Sequence, residues 1–370
     1  MKKILKKISI IVPVIVILAL SVVGICYFNE IRTLLSVKPI EGTNLYTMEY
    51  VSDYRFDEFL ETGASNNKEY YDYINNMINT QTKLKLANSQ AASDACTAFT
   101  FRDKDGGHYL ARNYDNKANP VMLVATAPRG GYKSISAVNM TCMGYNNEKV
   151  PSKFDINTLA APYFPTDGVN EKGISVAVLQ VNFARKQKSD NHKTIGIFAA
   201  VRLVLDHADS LDNAVALIDQ YNIYFDTAFM AQFFIADKDG NSALVEFVDG
   251  KMYVIKNENP SFQVASNFNN MEEQFSREGY VKQHEYRKWL TASDTTAYDS
   301  EYSGYIRYDF VYDSLYNISG IMSESDGFEL LEDVASPDNL QYSVIYRLDK
   351  AEATIITDND WEKKTTVAVR

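Results

Sequence analysis

The chain has 370 residues, of which 46% are apolar, 23% charged and 12% aromatic; that is enough to build a large core and excludes a disordered chain. Lysine and arginine total 37 against 48 aspartate and glutamate, and the resulting net charge of −11 argues against a nucleic-acid partner, which would need phosphate-neutralising cations. Three cysteines, Cys26, Cys96 and Cys142, exclude both a disulfide scaffold and a four-cysteine zinc site.

Lys2, Lys3, Lys6 and Lys7 precede an uncharged run over residues 8–28. At about 1.5 Å per residue it would span roughly 30 Å, the thickness of a bilayer's hydrocarbon core. The lysines are expected on the cytoplasmic side, so residues 1–28 read as a cytoplasmic lysine cluster and single-pass signal anchor, with the rest of the chain extracellular. Secretion after signal-peptide cleavage is the alternative, but no small-x-small site stands out after Gly24. Ile25 is too large to precede a lipid-modified cysteine, which leaves Cys26 in the span without chemistry.

Charge divides the chain at Cys96. The ten basic and ten acidic residues before it cancel, so the whole excess of acid lies downstream, where 27 basic residues face 38 acidic ones. Residues 29–95 are polar and rich in Tyr and Asn. They read as an extracellular presegment with one helix over 67–86, closing in the small, polar run 89–95, an accessible linker.

From Cys96 the pattern alternates. Thr97, Phe99 and Phe101 alternate with Ala98 and Thr100, the turn Asp103-Lys104-Asp105-Gly106-Gly107 comes next, and 108–114 returns as a second strand. Strands are expected at 121–127, 134–143 and 174–183. Helices are expected over 197–207 and after a Ser210 cap, on Leu211, Val215, Ile218 and Tyr221. A hairpin over 229–236 and 242–248, helices near 272–290, 308–317 and 327–334, and a closing hairpin over 342–348 and 352–357 complete the body. Strands, helices and strands again suggest a layered body with largely antiparallel sheets.

Most chemical candidates fail on spacing. Asp237-Lys238-Asp239-Gly240-Asn241 opens like a calcium loop, but Val248 holds the twelfth position where glutamate is needed, so it reads as a hairpin turn. His108, His192, His207 and His284 have no mutual helical spacing, so neither a metal site nor a cofactor is expected. Cys142, among apolar residues in an expected strand, reads as a packing residue. Cys96 differs: it follows a cleavable linker, and Arg112 and Asp115 recur on the neighbouring strand, where a hairpin would bring both beside the thiol. A guanidinium there would favour the thiolate.

These residues resemble the choloylglycine hydrolase family, within the N-terminal nucleophile hydrolase superfamily. The resemblance rests on Cys96-Thr97-Ala98-Phe99, Arg112-Asn113-Tyr114-Asp115, Asp167-Gly168-Val169-Asn170-Glu171-Lys172-Gly173-Ile174 with the strand to Gln180, Val264-Ala265-Ser266-Asn267, Ser303-Gly304-Tyr305-Ile306-Arg307-Tyr308 and Tyr342-Ser343-Val344-Ile345-Tyr346. It covers residues 96–370. It implies an α+β fold, a four-layer αββα sandwich forming one catalytic domain over 96–370, behind the transmembrane helix and the 29–95 presegment. Cleavage between Ala95 and Cys96 would make Cys96 the N-terminal nucleophile, with Arg112 and Asp115 as charged neighbours, Asn267 as oxyanion donor and Arg307 as a supporting charge. Gln180 stands where bile salt hydrolases carry Asn, and its longer amide is expected to reach the oxyanion differently. The loop Val181-Asn182-Phe183-Ala184-Arg185 departs from the family's pattern and would line the pocket.

The implied reaction is hydrolysis of a non-peptide linear amide through a thioester, on a small N-acyl amide. The family's range includes bile-salt conjugates, phenoxyacetyl β-lactams, N-acyl homoserine lactones and N-acyl amines. A homo-oligomer is compatible with this reading. Two alternatives stay open. One is a papain-like cysteine protease, echoed by Gln90 and Cys96-Thr97-Ala98-Phe99 but lacking a histidine at the expected 130–150 residues downstream. The other is a surface-anchored binding protein that keeps the fold without catalysis.

Overall fold

Two aspartate turns of the same construction set up the sheets. Asp103 Oδ1 accepts the backbone N–H of Asp105 at 2.9 Å and of Gly107 at 2.7 Å. Asp237 Oδ1 accepts those of Asp239 and Asn241, both at 3.0 Å. Each carboxylate thus satisfies the amides of a turn whose glycine, Gly106 or Gly240, takes the left-handed φ that a Cβ would oppose. Asp237 is therefore occupied as a turn former, as its hairpin reading anticipated.

The computed structural model describes residues 26–78, 84, 95–117, 119–181, 184, 188–225, 230–248, 250–257, 261–269, 300–336 and 338–369. Among these, the larger sheet has nine strands in the order β1 (Lys38–Pro39), β2 (Leu45–Tyr50), β5 (Val121–Thr126), β6 (Ser134–Asn139), β7 (Pro165–Asn170), β8 (Ser175–Val181), β11 (Met230–Ala236), β12 (Ser242–Val248) and β13 (Lys251–Lys256). The second has six, β14 (Val264–Ala265), β3 (Ala95–Arg102), β4 (His108–Asp115), β15 (Leu340–Arg347), β16 (Glu352–Thr357) and β17 (Thr365–Ala368). β9 (Thr194–Gly196) and β10 (Asn222–Tyr224) form a small parallel pair. Within the two large sheets every pairing is antiparallel except that of β2 with β5.

Strand alternation sorts the side chains into layers. Ala177 and Leu179 of β8 meet Ala98, Leu110 and Val344 in a core between the two sheets. Val176 and Val178 turn the other way, into a core shared with α2 (Phe56–Thr62), α3 (Asn67–Ile78), α4 (Ile197–His207) and α5 (Leu211–Asp219), the first helix, α1 (Phe28–Ser36), lying alongside. Phe99 and Phe101 face α6 (Ser300–Asn317) and α7 (Glu324–Asp333) across the outer side of the small sheet. The layers run helix, sheet, sheet, helix, as the αββα reading anticipates. Ser210 caps α5 through Asn213 N–H, also as expected.

Several expectations need correction. Residues 28–78 are not a segment set apart from the body: they supply three helices and two strands, and β2 sits inside the larger sheet beside β5. Four of their tyrosines look polar in the sequence, yet their rings are buried while each hydroxyl finds a partner. Tyr50 reaches the Leu159 carbonyl at 3.0 Å, Tyr70 that of Tyr163 at 2.5 Å, Tyr71 that of Cys142 at 2.8 Å, and Tyr54 the Asp206 carboxylate at 2.8 Å. The expected helix over 67–86 ends at Ile78. The strand expected over 134–143 stops at Asn139, whose side chain accepts Thr141 N–H and starts a 3₁₀ turn, so Cys142 is a helical packing residue and burial pushes its thiol up to about 12. β7, β13 and β17 were not anticipated by alternation. The helix near 272–290, most of the 89–95 linker and residues 182, 183 and 185 lie outside the described residues, as does the expected span up to residue 25. Among the described residues no helix is long and apolar enough to cross a membrane.

Phe59 shows how firmly the early segment is packed. It is fully buried, with the rings of Phe56, Tyr70, Tyr73 and Tyr163 at 5.1–6.1 Å. Phe59→Ala is expected to destabilise the whole protein by about 3–5 kcal/mol in urea unfolding, as a core deletion does. A loose appendage would show almost no change.

Candidate active site

In the β3–β4 hairpin Cys96 lies opposite Tyr114, and Ala98 opposite Arg112. Alternation points these four side chains into the space between the sheets, and Cys96 and Arg112 are buried there. Arg112 Nη2 approaches Cys96 Sγ at 3.6 Å and also donates to the Val178 carbonyl. Nη1 donates to Asp167 Oδ2 at 2.6 Å and to the Thr166 carbonyl at 2.9 Å. The guanidinium lies 4.7 Å over the Tyr114 ring.

Asp167, on β7 of the facing sheet, closes the network. Both members of the Arg112–Asp167 pair are fully buried. Tyr342 and Tyr346, on one face of β15, each donate a hydroxyl to the Asp167 carboxylate. Burial pushes Asp167 upward, against the pull of Arg112 and the two tyrosines. Burial alone would lower Arg112, but its electrostatic interactions with Tyr342, Asp167 and Cys96 outweigh it, so the guanidinium stays charged. Both tyrosines are raised, by burial first and by Asp167 next, and remain hydroxyl donors.

A second cluster holds the main chain of Cys96. Its N–H donates to Asn267 Oδ1 at 2.5 Å, and its carbonyl accepts from Ser266 Oγ at 3.0 Å and Arg307 Nη2 at 3.5 Å. Arg307 also donates to Asn267 Oδ1 at 2.9 Å and through Nε to Thr97 Oγ1 at 2.9 Å. Asn267 Nδ2 donates to the Gln180 carbonyl at 2.8 Å. Two donors on one end and an acceptor on the other fix how the Asn267 amide is turned. Helix α6 reaches this point because Gly304 lies against it: a Cβ there would come within 3.3 Å of Asn267 N and Ser266 Oγ. Phe268 stacks on Tyr305, with ring centroids 4.2 Å apart.

The structure thus brings Cys96, Arg112, Asn267 and Arg307 together. Two other expected residues are placed differently. Asp115 does not share the face of Arg112, because a spacing of three along a strand reverses the side; its neighbour in parity, Asn113, bonds to the Leu331 carbonyl of α7. Asp115 is buried, accepts Ser336 N–H at 3.3 Å, and lies opposite Ala95, the first residue of β3. Gln180 meets the site through its carbonyl; alternation puts its side chain in the row of Val176 and Val178, on the helical side. Asp167, Tyr342 and Ser266 were inside the motifs without a role, since nothing in a linear motif shows which carboxylate meets which cation. The four-residue spacing of Tyr342 and Tyr346 on a strand was the readable signal.

The three described histidines lie elsewhere. His207 Nε2 is 3.0 Å from Asp57, the His108 ring lies against the Gly240 turn, the His192 carbonyl accepts Asn222 Nδ2, and His284 is outside the described residues. Cys96 is the second residue of strand β3, where a papain-like enzyme would start a helix. Among the described residues no group of His, Cys, Asp and Glu could hold a metal ion. A cleft of about 180 Å³ lies between residues 53–58, 128–131 and 206–207 and includes none of the site residues.

A family model for the linear amide C–N hydrolases, choloylglycine hydrolase family, matches residues 96–289. Penicillin V acylase of Pectobacterium atrosepticum is 25% identical over 215 residues, 54% of this chain and 56% of the relative, so the chain spans about half the length of the curated relative it matches. A conjugated bile acid hydrolase from Clostridium perfringens superposes with a TM-score of 0.49 at 15% identity, covering 74% of this chain and 92% of that one. Penicillin V acylase from Agrobacterium tumefaciens gives 0.46 at 17% identity, covering 71% and 83%.

Asp167→Asn would leave the guanidinium buried without its counter-charge, and the expected loss is about 3–5 kcal/mol in chemical denaturation. Tyr346→Phe, which removes one hydrogen bond to a charged acceptor, should cost about 1.5–3 kcal/mol. In the double variant Arg112→Met/Asp167→Leu the loss should fall well short of the sum of the single losses.

Proposed function

Because the chain belongs to the linear amide C–N hydrolases of the choloylglycine hydrolase family, we propose that it hydrolyses a small N-acyl amide with Cys96 as nucleophile, after cleavage between Ala95 and Cys96. One observation carries this reading: the Cys96 thiol lies 3.6 Å from a buried guanidinium, while its main-chain nitrogen is seated on Asn267. The family match also begins at Cys96. A free α-amine, with a usual pKa of about 7.7–8.0, would supply the general base that no histidine among the described residues is placed to supply.

In this mechanism the Cys96 amine takes the thiol proton and the thiolate adds to the amide carbonyl. Arg112 favours the thiolate, and Asp167 with its two tyrosines holds Arg112 in place. The carbon–nitrogen bond then breaks as the ammonium returns its proton to the leaving amine. Water attacks the thioester, releases the acid and restores the thiol. Asn267 is assigned first to the nitrogen of Cys96. As an oxyanion donor, a role worth roughly 2.7–4 kcal/mol, its Nδ2 would have to exchange the Gln180 carbonyl for the substrate. Asp115, level with Ala95, stands where a newly formed amine would gain a counter-charge.

The presegment would stay bound after cleavage, because β2 and α3 belong to the common core. We also read residues 8–28 as a membrane anchor with the catalytic body outside. The uncharged run supports this, as does the outward face of α1, where Phe28, Ile31 and Leu35 are 61%, 37% and 53% exposed.

N-terminal sequencing of the active protein should start at Cys96, with residues up to 95 co-eluting in gel filtration and separating only in denaturant. Full activity with residue 95 still attached would overturn the mechanism. Cys96→Ala should abolish turnover across a panel of bile-salt, phenoxyacetyl, acyl-homoserine-lactone and fatty-acyl amides. Substituting His192, His207 or His284 should in each case leave turnover intact, whereas a papain-like protease would fail without one of them.

A further inference from the structure

Gln232 lies on β11 opposite Leu179, fully buried on the face toward the inter-sheet core. Its Nε2 donates to the Ser266 carbonyl at 2.7 Å and to the Phe268 carbonyl at 3.3 Å. Both partners are acceptors, so the amide nitrogen must face them. The two carbonyls flank Asn267, the residue whose Oδ1 accepts the Cys96 N–H. Gln232 Oε1 is buried with no hydrogen-bond partner among the described residues. An orphaned buried oxygen is unfavourable for stability, and its neighbours on this face, Leu179 and Phe234, are apolar.

We infer that Gln232 is a positioning residue: by gripping the chain on both sides of Asn267, it sets Asn267 Oδ1 on the nitrogen of Cys96. The inference rests on Cys96 being the nucleophile. Once the chain is cut, that nitrogen is the α-amine, and Asn267 Oδ1 accepts one of its hydrogens. The contact orients the lone pair and favours the protonated amine. The surrounding charges, Arg112 and Asp115 from β4, Arg307 from α6 and Asp167 from β7, stay in place when Gln232 is changed. Loosening Asn267 should therefore shift the amine's titration downward.

The test uses the full-length, processed protein and Gln232→Met, which keeps the length of the side chain and removes the donor. Cys96 alkylation by iodoacetamide is followed by intact mass across pH, beside steady-state kinetics and thermal melts. The alkylation midpoint should fall by about half a pH unit. kcat should drop about 10- to 100-fold with KM nearly unchanged, the mark of a displaced reacting group. Lost activity that merely tracks lost stability, with the midpoint unmoved, would make Gln232 an ordinary core residue and overturn the assignment. Should Gln232→Met not fold, Gln232→Glu serves: it donates only while protonated, so its alkylation profile should depart from wild type as pH rises, and profiles that coincide at every pH would overturn the assignment. A wild-type protein that alkylates normally but cleaves no amide would instead defeat the functional reading, leaving Gln232 to be judged on the alkylation midpoint.

Discussion

The buried ion pair between Arg112 and Asp167 joins the two sheets at the point where the site is built. Neither charge could remain there alone, since an ion in a low-dielectric interior needs a partner and hydrogen bonds on its remaining atoms. Arg112 meets these demands with the carbonyls of Thr166 and Val178, and Asp167 with Tyr342 and Tyr346. The pair thereby pins β4 and β15 of one sheet to β7 and β8 of the other. The cysteine sulfur lies at the positive end of the fixed dipole that results. Because Asp167 already balances the guanidinium, its effect on the sulfur is more one of place than of raw charge.

Around this pair, the atoms of Cys96 are divided between two sets of partners. The side chain points to Arg112, within the inter-sheet core. The main chain is gripped by Ser266, Asn267 and Arg307 from the β14 end of the sheet and from α6. The same residue can therefore have its thiol tuned by one network and its nitrogen held by another. For the proposed N-terminal nucleophile this separation matters, since its base and its nucleophile would belong to one residue.

The segment before Cys96 changes meaning within the fold. β2 occupies a position between β1 and β5, and its loss would expose a row of unpaired β5 backbone groups. A cut before Cys96 would then be a local event at the start of β3, relieving the linkage at one nitrogen while the tyrosine-rich core holds the pieces together.

The sequence by itself determined the hairpins, because Asp-x-Asp-Gly turns and period-two alternation are local, and it determined α4 and α5 through spacing and the Ser210 cap. It also singled out Cys96, Arg112, Asn267 and Arg307, each within a recognisable motif. It could not place 28–78, because a tyrosine reads as polar until a carbonyl is found for its hydroxyl. Nor could it pair Arg112 with Asp167, 55 residues apart, or find Gln232 beneath Asn267. The directions of Asp115 and Gln180 were illegible for a simpler reason: side-chain direction follows strand parity and the neighbouring sheet, neither of which a motif records. The tertiary structure alone decided those, since buried charges and amides take whichever partners the packing of two sheets brings within about 3 Å.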